Sequence, residues 1–195
     1  MPVNDRLAYR VQKWYAMALL VLGRNSAAED VFSRMLERWP DDGYALASRA
    51  HLRAQAGRRS QAIADQQRLV ALHPSRSAAD WFNLAFMLDE AEQFDAAEAA
   101  FRRALELDPK LDRAWYGLGL VLIRQQRLEE AVAALKRNTE LQPMSPYGWY
   151  QLGRVQFDRG NAERTQAIIA HLGKFEPKVA AQLARETGLT APPAP

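Results

Sequence analysis

Apolar residues recur along this chain in short paired stretches, each with the spacing of a helix face. Trp115, Leu118, Gly119 and Leu122 fall at i, i+3, i+4 and i+7, one stripe of an α-helix. A polar break around Gln125–Arg127 follows, then a second stripe of Leu128, Ala131, Leu135 and Leu141 that Pro143 ends. The same grammar runs through Trp81, Leu84, Ala85 and Leu88, then Phe94, Ala97, Phe101, Ala104 and Pro109. It appears once more at Tyr15, Ala16, Leu19 and Gly23, then Ala28, Phe32, Met35 and Pro40. Each pair predicts a helix–turn–helix hairpin that cannot bury its apolar face alone.

The hairpins keep time. Trp81, Trp115 and Trp149 are 34 residues apart, and prolines 40, 74, 109, 143 and 177 keep the same step but for one interval of 35. One extra linker residue, Ser77, accounts for that interval. A fixed period of this length marks stacked repeats, whose core lies between units and whose long face stays free. Counting back from each proline gives five units, 9–42, 43–76, 78–111, 112–145 and 146–179, with residues 1–8 extending the first helix. Small residues recur at one point of each first helix (Ala16, Ala50, Ala85, Gly119, Gly153) and of the second helices (Ala28, Ala62, Ala97, Ala131), where paired helices approach closely. Two units depart from the pattern. In the second, Arg49 replaces a stripe leucine and Gln66 an apolar residue; in the fifth, Thr165 replaces the small alanine and Gly173 interrupts the second helix. Arg49 is expected to snorkel, with a buried ion pair as the second option.

These residues resemble the tetratricopeptide repeat (TPR), W-x-x-L-G-x-x-Y…A-x-x-x-F…P, over residues 9–179. The resemblance implies an all-α fold, a right-handed α-solenoid of antiparallel helix hairpins, whose first helices line a concave groove for partner peptides or helices. Lys178–Thr187 reads as a capping helix, with Val179 and Leu183 toward the last repeat and Lys178, Gln182, Arg185 and Glu186 in water, so that 180–189 closes the domain. Residues 190–195 (TAPPAP) read as a disordered Pro-rich tail.

Function should lie opposite the buried stripe. There the first helices carry Tyr44, Phe82, Phe86, Tyr116, Leu120, Ile123, Tyr147, Tyr150 and Phe157, where a merely solvated helix would be polar. Interleaved are Arg10, Lys13, His51, Arg113, Arg124 and Arg154, against only Asp89, Glu90 and Asp158. The expected partner-binding groove (Tyr44, His51, Phe82, Asn83, Phe86, Arg113, Tyr116, Leu120, Arg124, Tyr147, Tyr150, Arg154, Phe157) is aromatic and cationic. Tyr and Arg suit such a surface because they bury large area and still hydrogen-bond. The partner expected is another protein or peptide with apolar and acidic residues. Three other readings stand beside it: some aromatics only pack between helices, the chain's own tail fills the groove, or a second copy does. The resemblance also allows a test for the carboxylate clamp with which some TPR domains grip chaperone tails. Units two to four supply Ala47, His51, Asn83, Arg113 and Gly117 at its positions, of which only Asn83 matches outright, so a chaperone-tail adaptor is disfavoured.

Composition removes alternatives. With no cysteine the chain has neither a disulfide framework nor thiolate metal sites. A net charge of +3, from 21 Arg and 5 Lys against 23 acidic residues, is too small and too dispersed to suggest nucleic acid. His51, His73 and His171 fall in separate units, and no nucleophile elbow, Walker loop or zincin motif occurs. No catalytic residue, metal or cofactor is expected. Arg6, Arg10 and Lys13 before the apolar run 14–22 mimic a signal peptide, but the cleavage site is poor, the run is too short to span a membrane, and it keeps the repeat register. A cytoplasmic location is expected, a periplasmic one less so. The reading is a non-enzymatic adaptor or scaffold. The alternative is a structural or self-associating subunit, a homo-oligomer whose groove its own copies fill.

Overall fold

The computed structural model describes residues 3–190, with side chains from residue 5. Among them are eleven α-helices and no strand: α1 (Val3–Val21), α2 (Asn25–Arg38), α3 (Gly43–Gln55), α4 (Arg59–Leu72), α5 (Ala78–Glu90), α6 (Phe94–Leu107), α7 (Asp112–Arg124), α8 (Leu128–Leu141), α9 (Pro146–Asp158), α10 (Ala162–Gly173) and α11 (Pro177–Thr187). In chain order they read as five pairs followed by α11. The fold is all-α, as the periodicity demands. The chain divides into two compact units, residues 1–93 and 94–195. All but five residues of the Pro-rich tail (191–195) lie within the described residues; those five, like residues 1–2, lie outside them.

In the first unit, α1 to α5 pack each on the next. Ala16, Ala28, Phe32, Met35, Leu46 and Leu69 are sealed at its centre. In the second unit, α6 to α11 also pack sequentially, and α9 touches both α7 and α11. Phe101, Leu118, Leu122, Leu135, Leu172 and Leu183 are its largest fully buried apolar side chains.

The two 34-residue beats prove to be one contact. The indole N–H of Trp115 donates to the carbonyl of Pro109, and that of Trp149 to Pro143, each at 2.9 Å. Trp81 donates to Pro74 at 2.8 Å across seven residues instead of six. The extra residue, Ser77, caps α5 through its hydroxyl, which accepts from Ala79 N. A third beat was invisible as a composition pattern. Gly23, Gly57, Glu92, Gln126 and Gly160 all adopt positive φ, at the turn that follows each odd-numbered helix from α1 to α9. Three are glycine, for which that conformation is free of Cβ strain; Glu92 and Gln126 hold it at a cost.

The irregular second repeat corrects the snorkelling expectation for Arg49. Its guanidinium grips Asp65 with both arms, at 2.9 and 2.6 Å, and its side chain is 15 % exposed against 7 % for Asp65. Arg53 adds a bond to the same carboxylate at 2.8 Å and another to Glu29, which Arg58 also holds. Burial alone would raise the Glu29 carboxyl, but the hydrogen bonds and charges of Arg58 and Arg53 hold it below its ordinary value. The buried amide of Gln66 donates to the carbonyl of Asp80 at 2.7 Å.

Two smaller expectations also change. Tyr15 is 55 % exposed, because α1 has no earlier helix among the described residues to flank it as α6 and α8 flank α7. Gly173 is the last residue of α10, so it ends that helix. Glu186 is exposed, as expected of the wet face of α11, and neighbouring side chains engage it there, as the next subsection describes. Thr165 is tolerated at a small-residue point by donating its hydroxyl to the carbonyl of Asn161 at 3.1 Å.

Candidate functional site

In the second unit the contacts of α9 with α7 and α11 bring three first-type helices side by side. A cleft of about 380 Å³ opens on them, lined by Tyr116 of α7, by Pro146, Tyr147, Tyr150 and Gln151 of α9, and by Glu176, Val179 and Gln182 at α11. Tyr147 is 72 % exposed, an unusual position for a ring that nothing covers. A small residue makes the approach of α9 to α11 possible: a Cβ on Gly153 would stand 2.5 Å from Leu183 of α11.

One end of this face is charged. The Tyr150 hydroxyl donates to Oε2 of Glu186 at 2.6 Å, and the Arg154 guanidinium to the same oxygen at 2.8 Å. Gln182 completes the cradle by donating to Oε1 at 2.9 Å. The bond to Glu186, reinforced by burial, pushes the Tyr150 phenol above its ordinary range. Donation from Tyr150, Gln182 and Arg154 in turn holds the Glu186 carboxyl below the usual carboxylate range. The arrangement is a carboxylate receptor with a carboxylate in it.

The remaining expected residues of this unit are dispersed around the cleft. Arg113 joins Tyr116, Tyr147 and Asn138 at a smaller depression of about 220 Å³. Arg124 lies over the ring of Phe94, 5.6 Å from its centroid. Leu120 is partly buried, and Phe157 is exposed.

The first unit holds its own set. His51, Asn83 and Phe86 meet at a pocket of about 240 Å³ with Ala47, Gln66 and Met87. Phe82 is half-buried and not among the residues lining it. Tyr44 does not join them: its ring packs edge-on against Phe32 with centroids 5.9 Å apart, under the Lys13 ammonium at 4.1 Å. Among the described residues no cluster of His, Asp and Glu could hold a metal ion, and no helix is long and apolar enough to cross a membrane.

Comparison with known proteins fits this geometry. A family model of the tetratricopeptide repeat matches residues 3–43 and 87–143, half of the chain. The chain is a TPR protein. Solved TPR structures superpose on it at low identity. YrrB, described as a TPR protein with an unusual peptide-binding site, shares 18% identity at a TM-score of 0.79, over 88% of this chain and 89% of its own. MamA from Desulfovibrio magneticus shares 17% at 0.76, over 91% and 96%. A TPR protein from Parabacteroides merdae shares 17% at 0.81, over 93% and 74%. No curated protein matches the chain by sequence. Likeness at this identity carries the fold alone, and no particular partner.

Sequence reasoning placed the tyrosines and Arg154 but missed the contribution of α11. Val179, Gln182 and Glu186 belong to a helix read only as a cap, and Glu176 immediately precedes it. The 34-residue grid held the signal. Extended one step beyond 179, it makes α11 another first helix, which lies beside α9 as α9 lies beside α7.

Proposed function

We propose that this TPR protein is a non-enzymatic adaptor that holds an extended or helical segment of a partner protein against its first helices. Tyr116, Tyr147 and Tyr150 supply apolar area with hydroxyls at the rim, and Arg154 receives an acidic group. The observation that carries the reading is the seating of Glu186 on Tyr150 and Arg154 beside an open tyrosine cleft. A partner carboxylate competing for that cradle would meet the same donors. The peptide-binding site ascribed to YrrB is consistent with a TPR chain used this way.

The test is capture of a partner from native lysate by the wild type and by a folded Tyr116→Ala/Tyr150→Ala variant, followed by titration at rising salt. Loss of capture in the variant, and weakening with salt, are the expected results. Equal capture by both would move the interaction away from these tyrosines; salt-independent affinity would remove Arg154 from the mechanism.

One observation favours the second reading, self-association. Leu7, Val11, Trp14 and Val21 form an exposed stripe on α1, with Trp14 65 % and Val21 88 % exposed, and the exposed Leu22 follows directly. Sedimentation showing a mass that rises with concentration in the wild type but not in Trp14→Glu would establish it.

A further inference from the structure

We propose that a cleft between α8 and α10 is a second binding site, for a partner segment that carries an apolar side chain flanked by carboxylates. The site does not depend on the tyrosine cleft. Trp149, Leu152 and Gln156 line it from the opposite face of α9, and the two clefts share no lining residue.

The repeat period shows what sets this cleft apart. One repeat earlier, α6 and α8 are bridged by Arg102, which donates to Glu130 at 3.1 Å and to Glu98 at 2.8 Å. Arg127 ties the same two carboxylates together, at 2.7 and 2.6 Å. Thirty-four residues on, Lys136 stands for Arg102, Arg164 for Glu130, Val132 for Glu98 and Asn161 for Arg127. Both carboxylates are gone, and a second cation has replaced one of them. Lys136 and Arg164 are exposed, and neither pairs with a carboxylate among the described residues. The acidic residue of the lining, Glu140, is already held by Arg137 at 2.6 Å. Where the earlier step is closed by its own ion pairs, this one presents two like charges with no anion between them.

The floor is apolar. The cleft, about 350 Å³, is lined by Trp149, Ala167 and the buried Leu152 and Ile168. That volume lies near the lower end for ligand pockets, about 300–1,000 Å³, and suits one or two side chains rather than a long acyl chain. Gln156 adds a donor. It replaces the Leu122 of the fourth repeat and is 1 % exposed. Its Oε1 accepts from Asn161 at 2.9 Å, whereas its Nε2 donates to no group among the described residues. An unpaired donor in so sheltered a place favours a ligand that brings an oxygen. Cations on the α8 and α10 walls, an apolar floor and a free amide together select a leucine-like side chain between acidic residues, held by charge-assisted hydrogen bonds.

The probe is a blocked pentapeptide, Glu-Glu-Leu-Glu-Glu, added to the isotope-enriched full chain. The indole N–H signal of Trp149 and the amide signals of Leu152 and Ile168 should shift, and rising salt should weaken the binding. Arg164→Glu, at an exposed position, restores the charge pattern of Arg102 and Glu130 and should weaken it at least about tenfold. Lys136→Glu/Arg164→Glu should instead take up Lys-Lys-Leu-Lys-Lys, which the wild type rejects. No shift at Trp149 with millimolar peptide, or equal affinity in Arg164→Glu, would overturn the proposal. The same shifts from glutarate alone would reduce the cleft to an anion site and overturn the segment as its ligand. A Trp149 signal that moves with protein concentration before peptide is added would assign the cleft to a second copy and overturn an external partner. Peptide shifts centred on Tyr150 and Gln182, and unaltered in Arg164→Glu, would seat the acidic ligand on Arg154 and overturn this site. Tyr116→Ala/Tyr150→Ala should leave the Trp149 shifts unchanged, so either site can fail without the other.

Discussion

The second and fourth repeats are the same hairpin built from opposed chemistries. Where the fourth buries Leu118 and Leu122 on its first helix and Ala134 and Leu135 on its second, the second carries Arg49 and Arg53, then Asp65 and Gln66, at the same positions, with both arginines bound to Asp65. The charges of the fourth repeat stay outside, as with Arg127 and Glu130 at 2.7 Å, both well exposed. Those of the second are drawn in, and each is satisfied. A repeat position thus fixes burial and facing partner more firmly than it fixes polarity. Two neighbouring changes of polarity are tolerated when they complement one another.

The largest expected effect breaks that complementarity. Asp65→Ala installs the alanine of the fourth repeat but leaves Arg49 and Arg53 without their shared carboxylate. Removing one partner of a largely buried ion pair costs about 3–5 kcal/mol. Urea unfolding should report a loss of that size. The triple change Arg49→Leu/Arg53→Leu/Asp65→Ala replaces the ion-pair positions with the apolar residues of the fourth repeat, leaving Gln66 in place, and should recover most of it, since apolar replacements of buried ion pairs are often neutral or better. A triple variant no more stable than Asp65→Ala would mean that the network does more than fill space.

The fourth repeat should fail by volume instead. A Cβ on Gly119 would already stand 2.7 Å from Cγ of the fully buried Leu135, so Gly119→Val forces that contact apart. Overpacking of this kind costs about 1–3 kcal/mol, more than the gain in helix propensity offsets. Calorimetry should show a lower Tm. An unchanged Tm would show that Leu135 has room to move.

How much of this was legible follows from what repeats encode. Stripe positions such as Leu118 and Ala131, the Trp and Pro beats and the small-residue points state their burial through residue type, and the fold could be read from them. Arg49 could not be read that way, because its partner Asp65 lies 16 residues on, on the next helix, and spacing along one helix does not reveal a pair formed across two. The tyrosines of α7 and α9 were legible as apolar residues on a face with no apolar neighbour to cover. Glu186 was not: exposed glutamates are common, and only packing of α11 on α9 sets it against Tyr150 and Arg154.

Acid should probe the second repeat's network more gently. Glu29 is buried at the edge of the second repeat's network, and the hydrogen bonds and charges of Arg58 and Arg53 hold it below its ordinary value against the opposing effect of burial. A carboxylate depressed in the folded state contributes stability that is present above its unfolded pKa and is lost as pH falls through the folded one. Stability should therefore decline below about pH 4.3, and Glu29→Gln should flatten the part of that decline that Arg53 and Arg58 create. Parallel pH curves for variant and parent would remove Glu29 from the acid response.

The smallest effect lies at the turn. Gly57 in the second repeat and Gln126 in the fourth occupy the same position, with φ of 74° and 60°. A side chain there pays about 1 kcal/mol against the Cβ–carbonyl contact that glycine avoids. Gln126→Gly should stabilise the fourth repeat by about that amount, less the extra entropy of an unfolded glycine. Gly57→Gln should cost the second repeat a similar amount, since nothing lies within 4 Å of a Cβ there and strain alone is being measured. Opposite signs for the two changes would show that the turn asks the same backbone of both repeats. Equal signs would mean that the Gln126 side chain, whose amide donates to the carbonyl of Ile123 at 3.4 Å, offsets its own strain.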